Sequence, residues 1–291
     1  MQGGYTQPSR PLMKTAFGLL VVLYGIGLVG AFGYGFFTLN PQNLALYPTA
    51  SQIYGYTFSA FAQGQIWLAG LCLILYLQAF IGLRWLLPLV LISAIGFVSE
   101  YFGTSVGIPF GNYEYTALLG SKIAGKVPPV IPCSWFFMGV ASYFIAGQVA
   151  NSLWGRLLMG AVILTSWDLV LDPAMSRLTQ YWVWEDTGVY YGTPLVNFAG
   201  WLLTGVGIMG ICELLLKSSW DRVPSPFILG FYGANLILPV LMCLLAGLWL
   251  ALGLTVLAYA LCFVCYLSAR RRRSVLGGMN FASGSQVPSR G

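Results

Sequence analysis

The chain has 291 residues, of which 58% are hydrophobic and 8% are charged, and its formal net charge is +6. A soluble domain carries about 25% charged residues, so this composition excludes a soluble globular protein and predicts an all-α, polytopic membrane helix bundle. Histidine is absent, which excludes a histidine-ligated haem and the histidine-rich di-iron oxygenases, because imidazole is the commonest ligand of those metals.

About eight transmembrane helices are predicted, with seven as the alternative, because one span needs roughly 20 apolar residues. The predicted spans are Thr15–Phe36, Gln63–Leu83, Trp85–Phe102, Ile131–Asn151, Leu157–Leu171, Pro194–Leu216, Ser225–Leu245 and Trp249–Ser268. Together they form a single transmembrane domain over residues 15–268. A short segment, 1–14, precedes this domain. A basic tail, 269–291, follows it and is expected to be disordered against anionic headgroups.

Lysine and arginine indicate how the bundle is oriented, because they are enriched in cytoplasmic loops. With a cytoplasmic amino terminus, eleven of these residues fall on the inner side and three on the outer side, the three being Lys122, Lys126 and Arg177. An even number of spans with both termini in the cytoplasm explains this distribution.

Three carboxyl groups are predicted at the outer ends of spans, where they are costly to bury. They are Glu100 in the third span and Asp168 and Asp172 in the fifth. A carboxylate near the centre of a span costs roughly 2.5–3.5 kcal/mol and less toward its ends. Asp168 and Asp172 are one helical turn apart, about 6 Å of rise, and Pro173 is expected to end or kink their helix. Two such neighbours cannot both ionise cheaply in a low dielectric, so one is expected to remain protonated.

Two outer loops, 103–130 and 173–193, surround these acids and are rich in aromatic residues and glycine. The first loop is too apolar for a flexible linker, and we expect both loops to form lids over the outer mouth of the bundle. Aromatic faces beside acids suit a cationic intermediate, because a ring stabilises positive charge by roughly 0.5–2 kcal/mol. An interfacial aromatic belt is the structural alternative.

No metal site is predicted. Cys262 and Cys265 form a C-x-x-C inside the last span, but we interpret the six cysteines as small apolar side chains. Glu213 has Lys217 one turn later, which is the spacing of a helical ion pair.

Four stretches in the same order carry a family resemblance: SEYFGTSVGIPFGNYEYT, VPPVIPCSWFFMG, SWDLVLDPAMS and YWVWEDTGVYYGTPLVNFAGW. They resemble the integral-membrane carotenoid biosynthesis protein family, which includes hydratases of the γ-carotene 1′-hydratase and bisanhydrobacterioruberin hydratase types. The resemblance runs over residues 99–213. It implies addition of water to the terminal C1′–C2′ double bond of an acyclic end group, without a cofactor, in a bacterial plasma or thylakoid membrane.

The residues suggest how such a reaction would proceed. We assign the proton-donating acid to Asp168 or Asp172, leaving the choice open, and activation of water to Glu100. Predicted substrate-binding residues are Trp135, Trp167, Trp201, Tyr113, Tyr115, Tyr181, Trp184, Tyr191, Asn197 and Phe198. Expected partners are the carotenoid, water and membrane lipid, and a downstream carotenoid glycosyltransferase; nucleic acid is not expected.

Three alternatives remain open. The first is a carotenoid-binding or transport protein whose acids relay protons. The second is a carotenoid cyclase, which also protonates a polyene end. The third is a membrane prenyltransferase, since D-x-x-x-D resembles half of a magnesium diphosphate site.

Overall fold

The computed structural model describes residues 7–283, without the side chains of residues 55, 56, 59 and 269–283. It is an all-helical bundle with a small two-stranded ribbon at one end. The helices are α1 (Arg10–Gly33), the short α2 (Gln42–Leu46), α3 (Pro48–Ile81), α4 (Leu86–Val106), α5 (Val130–Val149), α6 (Leu153–Asp172), α7 (Leu195–Leu216), α8 (Ser225–Leu245) and α9 (Trp249–Ser283).

Seven continuous helical stretches within the described residues are long and apolar enough to cross a membrane, which confirms a polytopic membrane protein. One of these stretches, Ala60–Val106, contains both α3 and α4. The two helices are separated at Gly82, whose φ of +59° is a conformation that side-chain-bearing residues avoid. Each of the eight predicted spans therefore falls on one long helix, although the apolar stretches number seven.

Helices α5 and α6 form the centre of the bundle. In their most apolar windows 78% and 72% of residues are buried, against 11% for α9 at the periphery. Helix α6 packs against α5 and α7, and α1 packs against α3 and α8. The acids of α6 are therefore held inside protein and not against lipid.

The two outer loops differ from the expectation of simple lids, because they pair with each other. Strand β1 (Tyr113–Tyr115) runs antiparallel to β2 (Trp182–Trp184), with Tyr113 opposite Trp184 and Tyr115 opposite Trp182. The first loop begins after Gly107, which caps α4 in the left-handed conformation. In the second loop α6 ends at Asp172, as Pro173 predicted, and passes into a single wide turn at Pro173–Leu178.

Two terminal boundaries differ from those predicted. Helix α1 begins at Arg10, before the predicted Thr15. Helix α9 continues to Ser283, so residues 269–283 are helical where disorder was expected. No glycine or proline occurs between Trp249 and the end of the arginine run except Gly253, so nothing local ends the helix at Ser268. The last eight positions of the predicted tail lie outside the described residues.

Candidate active site

One cavity of about 450 Å³ lies at the end of the bundle where α1, α4, α6 and α8 finish, which we call the carboxylate end. Glu100, Asp168 and Asp172 all line it, and their exposed fractions are 5%, 1% and 1%. The prediction that these three acids gather at one level is therefore confirmed. No lysine or arginine is among the described residues that line the cavity.

Glu100 is held by three uncharged donors. The Tyr113 hydroxyl donates to Oε2, the Tyr115 hydroxyl donates to the same oxygen at 2.7 Å, and the Trp135 indole N–H donates to Oε1 at 2.8 Å. Burial, together with the charge of Glu100, raises the pKa of Tyr113 and of Tyr115. Both phenols therefore stay protonated at neutral pH and remain donors.

Asp172 is held in the same way from the other strand of the ribbon. The indole N–H of Trp182 donates to Oδ1 at 2.6 Å, that of Trp184 donates to the same oxygen at 3.2 Å, and the Thr193 hydroxyl donates to Oδ2. Alternate residues of a strand face the same side. One face of the ribbon thus gives two phenols to Glu100 and two indoles to Asp172.

Asp168 has a different environment. In the described structure it receives one hydrogen bond, from the Asn197 amide at 2.7 Å. It is as deeply buried as Asp172 and lies one turn below it on α6. A carboxylate offers about four acceptor positions, so Asp168 is the acid whose charged form has the least support.

Three tryptophans form the apolar wall beside the acids. The rings of Trp135 and Trp201 are 4.3 Å apart between centroids, and those of Trp167 and Trp201 are 6.1 Å apart. Trp167 donates to the Asn235 carbonyl at 3.1 Å. That carbonyl is free because Pro239, four residues later in α8, has no N–H to give it.

Local sequence makes room for this wall. A Cβ on Gly96 would come within 2.8 Å of the Trp135 ring, so glycine is required where α4 passes the indole. Without that close approach, Trp135 of α5 would not reach Glu100, which lies on α4 together with Gly96. The hydrogen bond of Trp135 therefore depends on a glycine one turn before its acceptor.

Most of the predicted binding residues line the cavity, and two do not. Those that line it are Trp135, Trp167, Trp201, Tyr113, Tyr115, Tyr181, Trp184 and Asn197. Tyr191 lies outside it and accepts a hydrogen bond from the Leu250 amide, and Phe198 packs against Tyr190. Both aromatic rings serve the packing of the second loop instead.

The sequence prediction missed Trp182 and Thr193, which hold Asp172, and the part of the cavity formed by α3. Trp182 could have been found from the alternation W-V-W, which is typical of a strand that presents both indoles on one face. Cavity residues of α3 such as Tyr54 and Phe58 precede the predicted span, because the segment before Gln63 is too polar to meet a hydropathy threshold.

No group of three or more histidine, cysteine, aspartate or glutamate residues suited to a metal ion is found in the described part of the chain. The ion pair predicted between Glu213 and Lys217 is present at 3.0 Å, and Arg156 also pairs with Glu213. This cluster lies at the opposite end of the bundle, away from the cavity.

Comparison with known proteins shows the family of the chain and a relative of known name. A family model described as "Carotenoid biosynthesis protein" matches residues 62–262, which is more than half of the chain and includes all three acids. The bisanhydrobacterioruberin hydratase of Haloarcula japonica is 32% identical over 140 residues, covering 47% of this chain and 46% of the relative. The match thus spans about half the length of that relative. No solved structure matches.

Proposed function

The chain belongs to the carotenoid biosynthesis protein family, and we propose that it is a hydratase that adds water to an acyclic carotenoid end group. The proposal rests mainly on the environment of the Asp168 carboxyl group. It is buried, has one hydrogen-bond donor and no cation partner among the described residues, and faces an apolar cavity beside a second carboxyl group. The similarity to the bisanhydrobacterioruberin hydratase of Haloarcula japonica supports the same reaction class.

The first step is transfer of a proton from the Asp168 carboxyl group to C2′ of the terminal double bond. Asp172 keeps its negative charge because several hydrogen-bond donors stabilise it, and that charge one turn away favours a proton on Asp168. The π electrons form the new C2′–H bond, which leaves a tertiary cation at C1′. An alkene is a weak base, so the donor must be a neutral acid in a dry site.

The cation at C1′ requires negative charge and aromatic faces close by. The indoles of Trp135, Trp167 and Trp201 provide the faces, each contributing roughly 0.5–2 kcal/mol. Glu100 and Asp172 provide the charge, and neither is neutralised by a lysine or arginine of the cavity lining. This environment lowers the energy of the cation relative to the neutral polyene.

Capture by water completes the reaction. A water molecule forms the C1′–O bond, Glu100 accepts one of its protons as general base, and that proton returns to Asp168 to restore the starting state. One water is consumed and one tertiary alcohol is formed, with no electron transfer and no cofactor. The hydroxyl product is the group on which a carotenoid glycosyltransferase would act, and a bacterial plasma or thylakoid membrane would hold both enzymes.

The alternatives have less support from the geometry. A magnesium diphosphate, as in a prenyltransferase, needs cationic side chains, and the described cavity lining contains neither lysine nor arginine. A binding protein without chemistry explains the cavity but not an acid with so few donors. A cyclase would share the protonation step and differ in how the cation is captured.

Purified protein in lipid nanodiscs, incubated with γ-carotene or lycopene, tests the proposal. We expect a product heavier by the mass of one water. In D₂O one deuterium should appear on C2′. Pigment recovered unchanged would favour the binding protein, and a product of unchanged mass with a new ring would favour the cyclase.

A further inference from the structure

The cavity extends from the acids to the outer surface of the bundle. Its far wall is formed by the last turns of α1 and the first half of α3. Three residues of that wall, Val29, Phe32 and Ile53, have exposed fractions of 64%, 67% and 59%. A single space therefore connects side chains that are 1% exposed with side chains that belong to the outer surface of two neighbouring helices.

A row of four aromatic rings runs along this space and ends beside Asp172. The ring of Phe37 lies 4.7 Å from that of Tyr54, Tyr54 lies 5.6 Å from Phe58, and Phe58 stacks on Tyr181 at 5.8 Å with an angle of 7° between planes. All four rings line the cavity. Tyr181 directly precedes Trp182, which donates to Asp172.

The aqueous end of the site is closed by the ribbon. Tyr113 and Tyr115 are each 5% exposed, and Thr193 is fully buried. The two loops are joined by β1–β2 and by the Thr116 amide, which donates to the Tyr181 carbonyl at 2.9 Å. The apolar side between α1 and α3 is therefore the open side.

We propose that a carotenoid end group enters from the bilayer through this gap between α1 and α3, end first, while the rest of the polyene stays outside. The inference rests on the proposed function, since it takes the occupant to be an acyclic carotenoid. Such a molecule dissolves in hydrocarbon and not in water, so a lateral route avoids transferring it through an aqueous phase. A conjugated chain also packs better against a row of aromatic rings than a flexible acyl chain does.

End-first entry makes the far end of the substrate irrelevant to binding. γ-Carotene, which has one cyclic and one acyclic end, should bind as well as lycopene, which has two acyclic ends. A substrate with two acyclic ends must leave and re-enter in the reverse direction before its second end can react.

A blocking variant tests the route. Thr57 is exposed and lines the gap, so Thr57→Trp should lower both the γ-carotene retained per protein in nanodiscs and the initial rate by about tenfold or more. Val21→Trp is the matched control, because Val21 is 71% exposed on α1 and does not line the cavity. The control should retain pigment like the parent.

A second variant removes a ring instead of adding one. Phe58→Ala should weaken pigment retention several-fold, whereas Phe102→Ala, at a ring 52% exposed on α4 outside the cavity, should not. Retention is measured by absorbance and does not need turnover, so the route can be judged even where no hydration occurs. Unchanged retention in both Thr57→Trp and Phe58→Ala would overturn the proposal and leave the gap to a lipid acyl chain.

Discussion

Carboxylates at the two ends of the bundle have different partners. At the carboxylate end Glu100 and Asp172 each accept several hydrogen bonds from uncharged donors, and Asp168 accepts one. At the opposite end Glu213 pairs with Arg156 and Lys217 and accepts a further hydrogen bond from Tyr143 at 3.0 Å.

The charge of the partners distinguishes a structural ion pair from a site that can bind a proton. A cation beside a carboxylate fixes its negative charge, so the Glu213 cluster has no reason to exchange protons and serves packing. Uncharged donors stabilise a carboxylate without neutralising it, so three acids near one another leave an excess of negative charge in a low dielectric. The carboxylate end can therefore hold a proton, whereas the Glu213 cluster at the opposite end cannot.

The largest effect is expected at Asp168. Asp168→Asn keeps the shape of the side chain but removes the transferable proton, so hydration should fall on the order of 10³–10⁴-fold, within the range of general acid catalysis. Pigment retention should be unchanged. Asp221→Asn, at an exposed aspartate of the opposite end, is the control. Near-normal turnover by well-folded Asp168→Asn would refute the assignment of the acid.

Glu100→Gln is expected to be the next most damaging change. The amide cannot accept the proton of the attacking water, and it places an N–H against donors from Tyr113, Tyr115 or Trp135. Hydration should fall on the order of 10²-fold. A direct comparison of kcat in nanodiscs checks this, with thermal unfolding to separate lost chemistry from lost folding.

Trp182→Phe should have a smaller effect, because it removes one of several hydrogen-bond donors to Asp172 and keeps an aromatic ring. Hydrogen bonds to charged groups are worth about 1.5–3 kcal/mol. Losing this one should destabilise the negative charge on Asp172 and, through that charge, weaken the hold on the proton of Asp168. We expect a loss in kcat of about tenfold, with the substrate KM little changed. Trp249→Phe, at an exposed indole of α9, should match the parent.

Arg156→Met should affect stability and not chemistry. It leaves Glu213 with Lys217 and Tyr143. The free energy of unfolding should fall by an amount between the ~1 kcal/mol of an exposed ion pair and the ~3–5 kcal/mol of a fully buried one. The melting temperature should fall while kcat per folded protein stays at the parent value. A large fall in kcat without loss of folded protein would mean that the two ends are coupled.

Features set by neighbouring residues were predicted from the sequence, and contacts between distant segments were missed. The spacing of Asp168, Asp172 and Pro173 within one helix was enough to place the pair at a helix end. Pairing of β1 with β2 joins residues far apart in the chain, and no local pattern fixes which loops meet. Without that pairing, the roles of Trp182 and Thr193 and the preference for Asp168 over Asp172 could not be derived.

The cavity wall of α3 was missed for another reason. The sequence around Tyr54 and Phe58 contains Ser, Thr, Gln and Gly, so its mean hydropathy is too low to be read as a span. The helix nevertheless begins at Pro48, where proline suits a first turn. The described residues of this first part of α3 stay exposed or half-buried, because they face the cavity and not the centre of the bundle.

Infrared spectroscopy of the protein in nanodiscs at neutral pH tests most directly whether a buried carboxyl group at the cavity holds a proton. We predict a carboxylic acid C=O stretching band that shifts in D₂O, disappears in Asp168→Asn and persists in Asp221→Asn. Absence of the band from the parent protein, or its persistence in Asp168→Asn with loss in Asp172→Asn, would contradict the account.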